Sequence, residues 1–251
     1  FEAELALDVD HNFIGFRASS TNNVGAYISS MRNIQAGFGN IGGIVGVYDI
    51  PAAYVAVTGA MTNTNSTAPY RGAGRPEASY VIERLIDEAA REIQIDPAEL
   101  RRQNFILPED LPYQTSLVFN YDSGDFPTVM EKALAMSDYA GFAGRREASD
   151  QNGKLRGIGI ANAIERAGSP APEFGEIRFS PTGKVTLLMG TKNQGQGHET
   201  MYKQIAAETL GVALADMRFV DGDTDLVAHG TGTMGSRSAV IGGSALYRAA
   251  E

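Results

Sequence analysis

Apolar residues recur along the chain with two periods, and the period changes where turn-forming residues fall. Phe1 to Leu7 alternates like a strand. The runs from Glu2 to Asp8 and from Phe13 to Ser19 flank Asp10-His11-Asn12, which predicts a hairpin. A glycine-rich stretch from Gly37 to Gly46 leads to a predicted strand near Tyr54 to Thr58 and then to the polar run Thr62 to Thr67. From about Glu77 to Ile93 the period lengthens, placing Ile82, Leu85, Ile86, Ala89 and Ile93 on one helical stripe. A second helix is announced by Asp96-Pro97-Ala98-Glu99: an N-cap acid, proline at the first helical position, and glutamate where a capping box wants it.

From Pro108 to about Asn152 the pattern turns irregular, with turn signals at Pro112 and Ser123-Gly124, a helix near Thr128 to Met136, and a polar stretch from Arg145 to Asn152. Beyond it the pattern predicts strands at Leu155 to Ile164, Glu173 to Phe179 and Lys184 to Met189, a helix from His198 to Leu210, a strand from Met217 to Val220, and a helix from Ser236 onward. This order implies an α+β fold of mixed sheets with helices packed on one side. It divides the chain into residues 1–112, a linker at 113–154, and residues 155–251. The opening run already reads as a strand, and Tyr247 to Glu251 carries no helix stop signal, so an excerpt of a longer polypeptide is expected.

Composition narrows the chemistry. The 251 residues carry a net charge of -9 with no basic run, which argues against nucleic acid as a partner. No apolar stretch approaches membrane-spanning length and no secretory leader is visible, so a soluble, cytoplasmic protein away from membranes is expected. Cysteine is absent, so this chain holds no disulfide and no thiolate-bound zinc or iron-sulfur cluster. His11, His198 and His229 are too scattered for a metal-ligand set, and Asp221-Gly-Asp-Thr-Asp225 lacks the bidentate glutamate of a calcium loop. No metal ligand is therefore assigned.

Three times a glycine-bearing polar loop opens a predicted helix: Pro69 to Pro76, Asn193 to Gly197, and Gly230 to Ser238. Helix N-termini present unpaired N–H groups and a partial positive charge, and glycines admit close backbone approach. Gln194 and Gln196 bring both donors and acceptors suited to the edge of a heterocycle. Arg71, Arg75 and Arg237 sit in or beside these loops, and a guanidinium can hold a phosphate with two parallel bonds. Together the loops suit one extended anionic ligand such as a dinucleotide cofactor.

The segments APYRGAGRPEASYVIERLIDEAAREIQIDPAELRRQNFI (68–106), QGQGHETMYKQIAAETLGV (194–212) and GDTDLVAHGTGTMGSRSAVIGGSAL (222–246) strongly resemble the molybdopterin-binding large subunit of the molybdenum hydroxylases, the family of xanthine dehydrogenase, aldehyde oxidase and carbon monoxide dehydrogenase. The resemblance implies two molybdenum-cofactor-binding subdomains, each present in part. It carries cofactor binding to Gln194, Gly195, Gln196, Gly197 and His198, and to Ser236, Arg237 and Ser238. Tyr70, Arg71, Gly72, Ala73 and Gly74 would line the metal and substrate side, with Arg71 nearest the chemistry.

It further implies a molybdenum-molybdopterin cofactor, in the cytosine dinucleotide form for a bacterial relative, and oxidative hydroxylation of a small-molecule substrate with water. Electrons would pass to an iron-sulfur small subunit and an FAD-bearing medium subunit. In carbon monoxide dehydrogenases the Tyr70 loop carries a copper-bridging cysteine, whereas here Gly72 and Ala73 occupy the region, so an aldehyde or nitrogen heterocycle is the expected substrate. The family's catalytic glutamate falls outside these residues, and Glu176 is not a substitute for it, so this stretch alone is expected to be inactive. The alternative is a non-catalytic nucleotide-binding or assembly module derived from the same family.

Overall fold

In a computed structural model, which describes residues 1–28, 42–168 and 171–251, the chain forms two compact units, Phe1–Glu165 and Arg166–Glu251. Both mix helices with a three-stranded sheet, as expected. Among the described residues no helix is long and apolar enough to cross a membrane.

The first unit begins with the expected hairpin: β1 (Glu2–Leu7) pairs antiparallel with β2 (Phe13–Gly25), and His11 sits in the turn at φ 69°. Asp8 fixes the turn by accepting from Asp10 N and Asn12 N. β3 (Ala53–Met61) adds in parallel to β2, with Phe16 opposite Ala53. Of the glycine-rich stretch between them, residues 37–41 lie outside the described residues.

The predicted stripe becomes α1 (Arg75–Glu92), with Ile82 and Ile86 fully buried and Leu85, Ala89 and Ile93 packed beside them. Each buried isoleucine contributes roughly 1.5–3 kcal/mol. α2 (Pro97–Gln103) starts as its sequence foretells, Asp96 Oδ1 accepting from Ala98 N at 2.8 Å and Glu99 N at 3.3 Å. Glu99 does not close the capping box; its carboxylate pairs with Arg102.

Residues 113–154, expected as a linker, are built structure. They form the short pair β4 (Tyr113–Gln114) and β5 (Asn120–Tyr121), then α3 (Phe126–Met136) and α4 (Phe142–Gln151). Met130 enters the core and the Tyr121 hydroxyl donates to Gly46 O at 2.7 Å, so tertiary contacts impose order on an irregular sequence. The strand expected at Leu155 to Ile164 forms no ladder with any described residue, because alternation alone does not supply a partner strand.

One polar network is buried in this core. Arg101 on α2 pairs through Nε with Glu83 Oε2 on α1 at 2.8 Å, and through Nη2 with Asp87 at 2.9 Å. The Tyr48 hydroxyl donates to Glu83 Oε1 at 2.7 Å and accepts from Asn162 Nδ2 at 3.2 Å. Burial pushes the Glu83 carboxyl up, against the opposing pull of Arg101.

The second unit repeats the mixed pattern: β6 (Gly175–Phe179) pairs antiparallel with β7 (Val185–Met189), and β8 (Met217–Asp221) adds in parallel. α5 (His198–Leu210) spans the crossover from β7 to β8. After the last loop the chain makes a π-helical turn, Ser238–Gly242, that runs into α6 (Gly243–Ala250). Val185, Leu187, Met189, Tyr202, Ala206, Met217 and Leu246 form the core.

Candidate functional site

In the second unit, two of the three glycine loops lie against each other. Gly190 follows β7, and a Cβ placed on Gly230 would stand 2.4 Å from Gly190 O, so only glycine permits this approach. Lys192 N donates to Thr233 Oγ1 at 2.9 Å, and that hydroxyl donates on to Lys192 O at 2.6 Å. Tyr202, buried on α5, donates to Ser238 O at 2.9 Å and therefore accepts from Thr191 Oγ1 at 2.7 Å. Burial pushes the Tyr202 phenol up, so it stays a neutral donor.

The paired loops offer two rows of backbone amides. In the first, Asn193 N is satisfied by Asp221 Oδ2 at 2.5 Å, Gln194 N by Gln196 Oε1 and Gly195 N by Asn193 Oδ1. The amides of Gln196, Gly197, His198 and Glu199, at the start of α5, have no acceptor among the described residues. In the second loop, Thr231 N and Arg237 N are satisfied, while the amides of Gly232, Thr233, Met234, Gly235 and Ser236 have no such acceptor. Gly232, Gly235 and Ser236 hold φ of 95°, 57° and 53°, the left-handed values by which successive N–H groups form an anion-binding concavity. Gly195 and Gly197 have φ of 104° and 79° with open space around a would-be Cβ. Their backbone dihedrals, not lack of room, demand glycine there.

His198 is the first residue of α5, and its ring is buried edge-on against Tyr202 at 5.6 Å. Neither ring nitrogen has a partner among the described residues, and burial pulls its pKa below the ordinary 6.5 against the opposing pull of Asp221. A buried imidazole without partners is costly unless something outside these residues completes it.

Arg237 departs from the expected role of a phosphate clamp. It is fully buried: its Nη1 pairs with the buried Glu173 and donates to Gly232 O at 3.0 Å, and its Nη2 donates to Ala171 O at 2.6 Å and Pro172 O at 2.8 Å. A guanidinium taken out of water must be neutralised and hydrogen-bonded, and those bonds turn it into its own unit. Only Nε has no partner among the described residues.

Glu173 is the residue that sequence patterning missed, because nothing in Pro170 to Gly175 distinguishes a buried carboxylate from a surface one. Glu176 stands on β6 bonded to Arg178, which holds its carboxyl below the ordinary value, as befits an exposed surface pair.

In the first unit, the third loop runs into α1. Gly72, Ala73 and Gly74 hold φ of 90°, 44° and 92°, a run of left-handed residues closed by Ala73 N on Tyr70 O at 2.7 Å and Arg75 N on Gly72 O at 2.9 Å. A Cβ on Gly72 would meet Pro76 Cδ at 2.6 Å. Ala73 carries the strain of a non-glycine residue in that region. Arg75 turns inward, to Glu165 at 3.2 Å. Tyr70 and Arg71 are exposed, and Arg71 has no partner among the described residues.

The donor set fits the expected cofactor class: unpaired amides at a helix start and in a left-handed turn, with an orphaned buried imidazole beside them, suit a phosphate-bearing ligand.

Two models of a molybdopterin cofactor-binding domain match the chain, over residues 1–105 and 132–251. The carbon monoxide dehydrogenase large chain of Afipia carboxidovorans is 38% identical across 98% of this chain and 33% of its own length. The 6-hydroxypseudooxynicotine dehydrogenase complex subunit gamma of Paenarthrobacter nicotinovorans is 32% identical across 98% of this chain and 32% of its own. The crystal structure of quinoline 2-oxidoreductase from Pseudomonas putida 86 superposes with a TM-score of 0.90 at 32% identity, covering 99% of this chain and 33% of that one. The chain thus spans about a third of the length of the curated relatives it matches.

Proposed function

This chain belongs to the family of molybdopterin cofactor-binding large chains of the molybdenum hydroxylases, and from that premise we propose that it forms part of the cofactor-holding catalytic subunit of an enzyme that hydroxylates an aldehyde or a nitrogen heterocycle with water. The observation that carries the proposal is the pair of abutting loops in the second unit with their two rows of unengaged amides.

The residues divide the work by chemistry. Gln194 and Gln196 offer side-chain amide donors to the pterin, Gly195 gives the backbone room to approach it, and the backbone amides of Gln196, Gly197 and His198 at the start of α5 offer donors to its phosphates. Ser236, and Ser238 at the following turn, continue that surface, while Arg237 shapes it from behind through Glu173. Tyr70, Arg71, Gly72, Ala73 and Gly74 form the metal and substrate side, where the exposed Arg71 supplies the loop's unengaged positive charge. When bound, the molybdenum-molybdopterin group, in its cytosine dinucleotide form, supplies the two-electron redox chemistry. Electrons leave through an iron-sulfur small subunit and a flavin medium subunit, which suits a chain without cysteine. The absence of any cysteine from the Tyr70 loop favours an aldehyde or heterocycle over carbon monoxide. The assembly is cytoplasmic.

The test is molybdenum and pterin-nucleotide analysis of the full-length protein purified with its partner subunits. Near-stoichiometric metal and cytosine dinucleotide are expected. Arg71→Ala should leave that content and the melting temperature unchanged while lowering kcat/KM at least roughly tenfold, about 1.4 kcal/mol of transition-state stabilisation. A loaded Arg71→Ala enzyme with unchanged turnover would refute the role given to Arg71, and a full-length protein lacking pterin would refute the reading as a whole.

A further inference from the structure

We propose that Glu173 is the positioning residue of the cofactor site: one buried carboxylate holds both ends of the 231–237 turn, and so keeps the amides between them free for the ligand. This rests on the cofactor-binding reading above.

The geometry is a closed account of one side chain. Glu173 Oε1 accepts from Phe174 N at 3.0 Å, just ahead of β6, and from Thr231 N at 3.1 Å, at one end of the turn. Its Oε2 takes Arg237 Nη1, at the other end. Thr231 Oγ1 donates to Pro172 O at 2.6 Å, and Arg237 bonds Ala171 O and Pro172 O, so both ends of the turn rest on residues 171–173. The end of β7 closes on the same carboxylate, since a Cβ on Gly190 would stand 2.3 Å from Glu173 Oε1. Glu173 therefore sits where both glycine loops meet.

Between those anchors, Gly232 to Ser236 contribute no amide to any described acceptor. Left to itself, a five-amide turn would relax by bonding its own carbonyls or by swinging Arg237 toward the nearest anion. Glu173 removes both options: it neutralises Arg237 inside the unit, and it fixes the left-handed dihedrals at Gly232, Gly235 and Ser236. The ligand is then met by neutral preorganised N–H groups and not by a mobile cation, the arrangement in which donors require least reorganisation on binding. Glu173 lies outside the hydrophobic cluster of the second unit, so its removal leaves the core filled, but it strands the buried Arg237 and lowers the melting temperature, which is why cofactor loss is read well below that temperature.

The experiment uses the full-length protein with its partner subunits, and compares wild type with Glu173→Ala and Glu173→Gln. Glutamine keeps an oxygen acceptor for Thr231 N but loses the charge that neutralises Arg237. Four quantities are read: molybdenum and pterin content per chain, the rate of cofactor loss well below the melting temperature, the melting temperature itself, and hydrogen exchange at residues 229–238 in cofactor-free protein. The expected result is cofactor loss accelerated at least roughly tenfold in Glu173→Ala and by a smaller factor in Glu173→Gln, with faster exchange confined to 229–238.

Cofactor retention and exchange equal to wild type in Glu173→Ala would overturn the proposal. So would cofactor content that falls only in step with the unfolded fraction, because that marks a purely structural residue. A wild-type protein without pterin would instead defeat the underlying functional reading, leaving the exchange measurement on 229–238 to decide whether Glu173 orders the turn.

Discussion

Among the described residues, each unit carries a three-stranded mixed sheet and one fully buried arginine on a buried glutamate, yet the two pairs do different things. In the first unit, Arg101 and Glu83 join two helices, and Tyr48, Asp87, Pro97 O and Ile160 O complete their hydrogen bonds. In the second, Arg237 and Glu173 join no regular elements; they tie the ends of a turn whose inner amides stay open, in a unit whose buried His198 has no partner among the described residues. A satisfied buried network is fold glue. One that satisfies itself and leaves its neighbours unsatisfied is the support of a binding surface.

The largest expected effect breaks the first pair. Arg101→Ala strands Glu83 as an uncompensated buried charge and should destabilise the first unit by roughly 3–5 kcal/mol in denaturant unfolding. Cofactor should then disappear only as chains unfold, unlike the Glu173 variants, which should lose it while folded. If Arg101→Ala released cofactor from stably folded protein, the contrast between the units would collapse.

A smaller effect sharpens the contrast through pH. The His198 imidazole is held below the ordinary 6.5, so the fold prefers it neutral. Its contribution is fully present above the unfolded value and is lost as pH falls from there toward the depressed folded value, with a slope of at most about 1.4 kcal/mol per pH unit. Melting of cofactor-free protein between about pH 5 and 8 should show that acid loss, and His198→Gln should flatten it. An identical pH profile in the variant would place the imidazole in an ordinary solvated setting. With an anionic ligand bound, the acid loss should shrink, because the ligand favours the charged ring.

Much of the fold was legible because its signals are local. The Asp8 to Asn12 turn, the Asp96 cap, the α1 stripe and the His198 to Leu210 helix are each set within a few residues of themselves. The polar Arg145 to Asn152 run gave no stripe, yet it is helical in α4, where Arg145 bonds Ser137 O and Ser149 bonds back to Arg145 O. Leu155 to Ile164 alternates like a strand but finds no ladder, since pairing is a property of two segments. At the site, the glycines announced the loops through the positive φ they need. The direction of Arg237 was not legible: it is decided by Glu173, 64 residues away in sequence. Arg71 and Arg237 look alike in sequence, and only one of them faces out.

The most direct measurement of the central claim is hydrogen exchange on the full-length protein with and without its bound cofactor, resolved at residues 196–199 and 232–236. Slow exchange at both rows when the cofactor is present, reverting to fast exchange when it is stripped, is the expected result. Equal exchange in the two states at both rows would show that these amides do not meet the ligand, and the account of the site would fail.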